Sequence, residues 1–411
     1  MKKIFVLFAA ALMCVVSCAD SKQALTVTVT NPLALDRAGE MVEVPMSDVV
    51  ARLKLADTAQ IVVLDADGRQ VPYQVTYDEK VIFPAAVTAN GTAVYTIQQG
   101  TPEPFNVIAC GKYYPERLDD VAWENDLGGY RAYGPALQAR GERGFGYDLF
   151  TKYNTTEPVL ESMYAEELNK EKRAKIAELK KTDPKAAGEL GRSISYHIDH
   201  GYGMDAYTVG PTMGAGVPAL MEGKDFVYPL CYKEVEILDM GPLRFSARMV
   251  FAPVQVGQDK DVVETRVITL DKGTHLNKCE VAYANLSEAR KVAAGIAVHK
   301  SMPDAYVMNK KLGYVAYADA MDHPEAMNGL IYIACLFPEG LKSVEYVPMA
   351  KEEAGAVGHV VGVSNYEPGD TFTYYFGSAW SKYDMPDMAV WQENVERYGR
   401  QLKTPLAVTL K

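Results

Sequence analysis

From residue 25 apolar and polar positions alternate. Leu25, Val27 and Val29 fall on one side and Thr26, Thr28 and Thr30 on the other, the two-residue period of a half-buried strand rich in β-branched residues. Residues 60–64 and 71–76 flank the turn signal Asp65-Ala66-Asp67-Gly68, and 80–88 and 92–97 flank Asn90-Gly91, a strong hairpin cue. Residues 25–104 therefore read as a small antiparallel β-sandwich closed by Thr101-Pro102-Glu103-Pro104. Over 158–181 the period changes. Leu160, Tyr164, Leu168, Ile176 and Leu179 recur at helical spacing among Glu and Lys, which predicts a solvated helical insertion ended by Pro184.

Strand patterns then return at 232–238, 243–251, 262–270 and 277–284, and again around 292–298, 314–317, 330–336, 344–347, 360–363 and 372–376. Turn signals between them predict a mainly β chain, with a large antiparallel sandwich over 105–411 rather than alternating β and α. Met388, Trp391, Val395, Tyr398 and Leu402 follow 3-4-3-4 spacing after Pro386, so a helix is predicted before Pro405 and a closing strand over 406–410.

The first residues change the picture of compartment. Lys2 and Lys3, the apolar run 4–16 and Ser17-Cys18 read as a lipoprotein signal peptide over 1–17, with Cys18 lipid-modified and 18–24 a tether. The expected location is the periplasm or an outer-membrane surface, with the membrane met only through the lipid. The formal charge of −11 becomes −13 once Lys2 and Lys3 are lost (−11 − 2), which leaves no basic footprint for nucleic acid. Cys110, Cys231, Cys279 and Cys335 are far apart, without C-x-x-C spacing, and read as buried apolar residues. No G-x-G-x-x-G, P-loop, G-x-S-x-G or H-E-x-x-H occurs, so nucleotide, esterase and zincin chemistry have no support.

Candidate chemistry concentrates in residues 192–216. His197 and His200 stand there beside Asp199, Asp205, Tyr196, Tyr202 and Tyr207, among Gly201, Gly203, Gly210, Gly214 and Gly216. Glycines let such a loop turn tightly, and dense titratable side chains are the material of a site. The same composition also fits an ordered loop whose histidines merely satisfy backbone carbonyls. For acid–base work His197 or His200 would serve as base, Tyr202 or Tyr207 as acid, and Arg131 would neutralise a substrate carboxylate, with Lys152 as a second cation. Those are the parts for cleaving a uronic-acid glycan by β-elimination. Hydrolysis would instead need two carboxyl groups, available from Glu124, Asp126, Asp148, Asp199 and Asp205. Trp123, Tyr133 and Trp380 could stack on sugars, although core packing also explains tryptophans. A divalent cation held by the histidines with Asp199 or Asp205 is a further possibility, and no other cofactor is expected.

Several stretches resemble DUF4861, a family of uncharacterised extracytoplasmic proteins. They are Asn31-Pro32-Leu33, Trp123-Glu124-Asn125-Asp126, Tyr130-Arg131-Ala132-Tyr133-Gly134-Pro135, Tyr147-Asp148-Leu149-Phe150 and Gly377-Ser378-Ala379-Trp380-Ser381-Lys382. His197, Asp199, Gly201, Gly203, Asp205, Tyr207 and Gly210-Pro211-Thr212 continue the match. The resemblance implies a sandwich of the galactose-mutarotase type and a role in degrading pectin-like glycans. It assigns no catalytic residue. A lyase, a glycoside hydrolase or epimerase, and a non-catalytic glycan-binding lipoprotein all stay open.

Overall fold

The computed structural model describes residues 23–56, 60–153, 155–321 and 327–411. The expected signal peptide and Cys18 lie outside these residues. The chain is mainly β, with a small N-terminal sandwich, a large sandwich, a helical insertion and a C-terminal helix.

In the small sandwich, Ala24–Thr30 lies between Thr92–Gln99 and the last strand, Ala407–Leu410, in one sheet. Arg37–Pro45, Lys80–Val87 and Gln74–Val75 form the other. Leu25, Val27 and Val29 turn into a core shared with Val42, Val44, Phe83 and Ile97, as the alternation requires. The closing strand of the sequence thus completes the first sheet, so this unit is made from both ends of the chain and not from 25–104 alone. Arg37 fastens the same junction. It is buried and donates to the carbonyls of Gln401 (3.0 Å) and Thr404 (2.6 Å) at the C-terminal end of helix Met388–Lys403, where cations are favoured.

A nine-stranded and a five-stranded antiparallel sheet form the large sandwich around one core. A further five-stranded sheet positions the site: Gly203–Asp205, Asp148–Lys152, Gly128–Ala132, Asp120–Glu124 and Cys110–Tyr114. Val121, Trp123, Tyr130 and Leu149 face the sandwich core, whereas Ala122 and Phe150 meet Leu160, Met163 and Tyr164. Covered on both faces, these strands lose the polar alternation that marks half-exposed ones. The covering residues come from the first of three helices, Leu160–Glu167, which is followed by Lys170–Thr182, burying no side chain, and Pro184–Ile194, a segment longer than the predicted insertion. Pro184 starts the third helix instead of ending the segment, because the Asp183 carboxylate caps Ala186 N–H (3.1 Å) and proline suits a first turn.

Candidate active site

Strand register assembles the site. Arg131 stands directly opposite Asp148 and Ala122, and Phe150 opposite Asp205. With a two-residue period, Asp120, Arg131, Asp148 and Asp205 then share one face. Gly203 allows the last strand to join, since a Cβ there, at φ +111, would lie 1.9 Å from the Thr151 carbonyl oxygen. Above this face an open cleft of about 560 Å³ is lined by Arg117, Arg131, Tyr133, Arg143, His197, Asp205 and Tyr207.

Arg131 is buried under the cleft floor. Its Nη2 donates to Asp148 and to Asp205 (2.9 Å), its Nε donates to Asp148 (3.0 Å), and Asp120 lies 3.8 Å away. The Tyr133 hydroxyl donates to Asp148 as well. Three carboxyl groups thus face Arg131 and, at the rim, Arg117. Burial pushes Asp120 up to about 7, with the Asp148 charge adding to the effect and Arg131 and Arg117 opposing it. Asp205 is pushed up to about 6 by burial and by Asp148, against Arg131 and His197. With Asp120 protonated, two guanidiniums balance two carboxylates.

A raised carboxyl pKa means that the folded protein keeps a proton the unfolded chain has released, so Asp120 lowers stability as pH rises from about 4, its unfolded value, to about 7. Asparagine cannot ionise. Asp120→Asn is therefore expected to match the parent near pH 4 and to exceed it by about 1–3 kcal/mol above pH 7. Paired urea titrations read the difference; an identical offset at both ends would show that Asp120 does not titrate in this window.

His197 reaches the cleft half-exposed. Its Nδ1 lies 3.0 Å from the Asp205 carbonyl, which can only accept, so Nδ1 carries the proton and Nε2 keeps its lone pair. The Asp205 carboxylate lies 3.7 Å from the same ring nitrogen. Tyr207 is buried, and its hydroxyl has no hydrogen-bond partner among the described residues. Burial, then the Asp319 charge, holds that phenol protonated far beyond neutral pH. Its ring meets the edge of His299, whose Nδ1 lies 2.8 Å from Asp319.

The cleft brings together His197, Tyr207, Arg131, Tyr133 and Asp205 from the sequence candidates. The others lie elsewhere. His200 is exposed and bonds the Ser195 carbonyl (3.1 Å), and Tyr202 packs at the edge of the helical cover. Both imidazoles therefore do satisfy backbone carbonyls, and only His197 also lines the cleft. Lys152 is not a substrate cation: it is buried and bonded to Glu124 and the Asn125 carbonyl. Glu124 accepts the Val159 and Leu160 N–H groups at a helix start, and Asp126 accepts Gly273 N–H (2.8 Å). Trp123 and Trp380 are not platforms. Both are buried, donating to Asn277 and to the Asn328 carbonyl, each at 2.8 Å. Asp199 braces its own turn through Gly201 N–H (2.8 Å) and Gly203 N–H (3.1 Å), apart from Asp205. Among the described residues no group of three His, Cys, Asp or Glu is arranged around a common metal position. Arg131 itself is committed to aspartates, and the cleft is also lined by two cations the sequence did not single out, Arg117 and Arg143. Their sole signal was a basic side chain on a turn.

Residues 29–408 match a family described as "Domain of unknown function (DUF4861)". "Uncharacterized protein P7" of Formosa agariphila is 25% identical, with 96% of each chain covered. Among solved structures, an alpha-mannosidase from Enterococcus faecalis V583 aligns with 95% of this chain at 11% identity and a TM-score of 0.47. A protein in the glycosyl hydrolase family 38 from the same species aligns at 10% identity and a TM-score of 0.46. This chain spans about half the length of those two, 46% and 47%.

Proposed function

The chain belongs to the DUF4861 family, and on the chemistry of its cleft we propose that it is a carbohydrate-active protein cleaving a uronic-acid-containing glycan by β-elimination. One observation carries this: an imidazole with its Nε2 unbonded and a protonated phenol without a partner, both among the described residues, share a cleft with the guanidiniums of Arg117 and Arg143. The guanidiniums would neutralise the uronate carboxylate, which acidifies the C5 proton. His197 Nε2 would take that proton, the C5–H electrons would form the C4–C5 double bond, and the C4–O bond would break. Tyr207 would return a proton to the departing oxygen. Asp205 would stabilise the imidazolium formed on His197. The apolar run 4–16 and Cys18 support a lipid-anchored, extracytoplasmic protein.

Hydrolysis has one observation in its favour, because Asp205, held up to about 6, lies on the same face as Asp148. A panel of polygalacturonate, rhamnogalacturonan and glucuronan, with and without chelator, separates the readings. Elimination is expected to produce the ultraviolet absorbance of an unsaturated uronate. New reducing ends without it would mean hydrolysis, altered optical rotation alone epimerisation, and silence on every substrate would sink the enzyme reading. Loss of the signal with chelator would add a divalent cation.

A further inference from the structure

Arg117, the last residue of the turn Pro115–Arg117, differs from Arg131 in what its guanidinium has left to offer. Its Nε donates to the Tyr196 hydroxyl at 3.0 Å, but its Nη1 stands 3.8 Å from Asp120, beyond hydrogen-bond reach. Among the described residues its terminal fork makes no hydrogen bond, and the side chain is 23% exposed on the cleft. Arg131 has the reverse character, with its fork bonded to carboxylates. An arginine held at Nε with both amino groups open is pre-oriented for a planar or tetrahedral oxyanion, because orienting it costs little more side-chain entropy on binding.

Behind it lies a carboxyl group in an unusual state. Asp120 is fully buried, and among the described residues its oxygens lack a well-formed hydrogen bond, only the Gly134 backbone lying near enough to oppose the effect of burial. Arg117 faces it from the preceding turn, Arg131 and Asp148 from the neighbouring strands, Tyr164 from the helical cover and Tyr232 from the large sandwich. Both phenols are held neutral by burial, so the charges that count are two guanidiniums, Asp148, Asp120 itself and, across Arg131, Asp205.

We infer that Arg117 is the receptor for the anionic substituent of the sugar, and that Asp120 is its positioning residue, whose ionisation opposes anion binding. This rests on the cleft taking an anionic sugar. An oxyanion on the Arg117 fork places a second negative charge near Asp120, so binding is coupled to Asp120 keeping its proton. Affinity then rises as pH falls through about 7, the value to which Asp120 is pushed. His197 lines the same cleft and is itself ionisable, so it is removed in a control.

The test is calorimetric titration of the full chain with three probes. Trigalacturonate carries carboxylates, a carrageenan oligosaccharide carries sulfate esters without carboxylates, and a galactan oligosaccharide is neutral. Measurements about one unit either side of pH 7 bracket Asp120. Arg117→Gln is expected to weaken the bound anionic probe by about ten- to a hundredfold, the worth of a lost charge-assisted contact. Neutral-probe binding should not change, and Arg117→Lys should recover part of the loss. In an Asp120→Asn, His197→Gln protein the pH dependence should be clearly smaller than in His197→Gln alone, the remainder coming from Asp205, which lines the cleft and is pushed up to about 6. Which anionic probe binds identifies carboxylate or sulfate as the group recognised. If Arg117→Gln binds that probe as tightly as the parent, the inference falls while the anionic-sugar reading stands. If the parent binds neither anionic probe, both fall.

Discussion

Arg131→Met is expected to lower the free energy of unfolding by about 3–5 kcal/mol, the usual effect of removing one partner from a buried ionic network. The loss comes less from missing attraction than from what remains. Asp148 and Asp205 would be left buried on one face with no cation between them, and Tyr133 would keep only its bond to Asp148. Methionine fills much of the volume, so little of the effect is a cavity. The defect should ease at acid pH, where carboxyl protonation removes the uncompensated charge. Urea unfolding of Arg131→Met beside Arg117→Gln checks this. The second variant removes a rim cation with an unbonded fork and should cost less than about 1 kcal/mol. Equal losses would mean that Arg131 is not the central cation of the cluster.

His197→Ala and Tyr207→Phe are each expected to reduce turnover by about a hundred- to ten-thousandfold, the range spanned by a positioned base or acid. His200→Ala and Tyr202→Phe, whose side chains lie outside the cleft, should stay near the parent rate. Tyr207→Phe carries its own folding control. The phenol has no hydrogen-bond partner, so deleting its oxygen removes a buried unsatisfied group and should leave the thermal midpoint equal or higher. A fall in turnover with no fall in midpoint separates chemistry from structure. A parent-like rate in Tyr207→Phe would remove it as the acid.

Much of the fold was legible because it rests on local chemistry. Alternation marked Ala24–Thr30, an unbroken apolar run marked Leu330–Leu336, and the 3-4 spacing of Met388, Trp391 and Val395 marked the last helix. The segment 192–216 did contain His197, Asp205 and Tyr207, yet nothing in it separated His197 from His200, since both flank one turn and both bond a backbone carbonyl. Arg131 looked available because its aspartate partners come from strands 17 and 74 positions away. Such pairing depends on register across a sheet buried on both faces, where polar residues no longer mark the solvent side. Lys152 and Glu124 misled for the same reason. Each polar side chain looked free until the strand opposite supplied its partner.

The pairing of Ala24–Thr30 with Ala407–Leu410 gives the chain a nearly circular character. Thr26 and Lys411 exchange both backbone hydrogen bonds at 2.9 Å, and Arg37 ties the same corner to the end of the last helix. The two strands farthest apart in the sequence are neighbours in one ladder, so fraying of either exposes the other, and the two ends open and close as one cooperative unit.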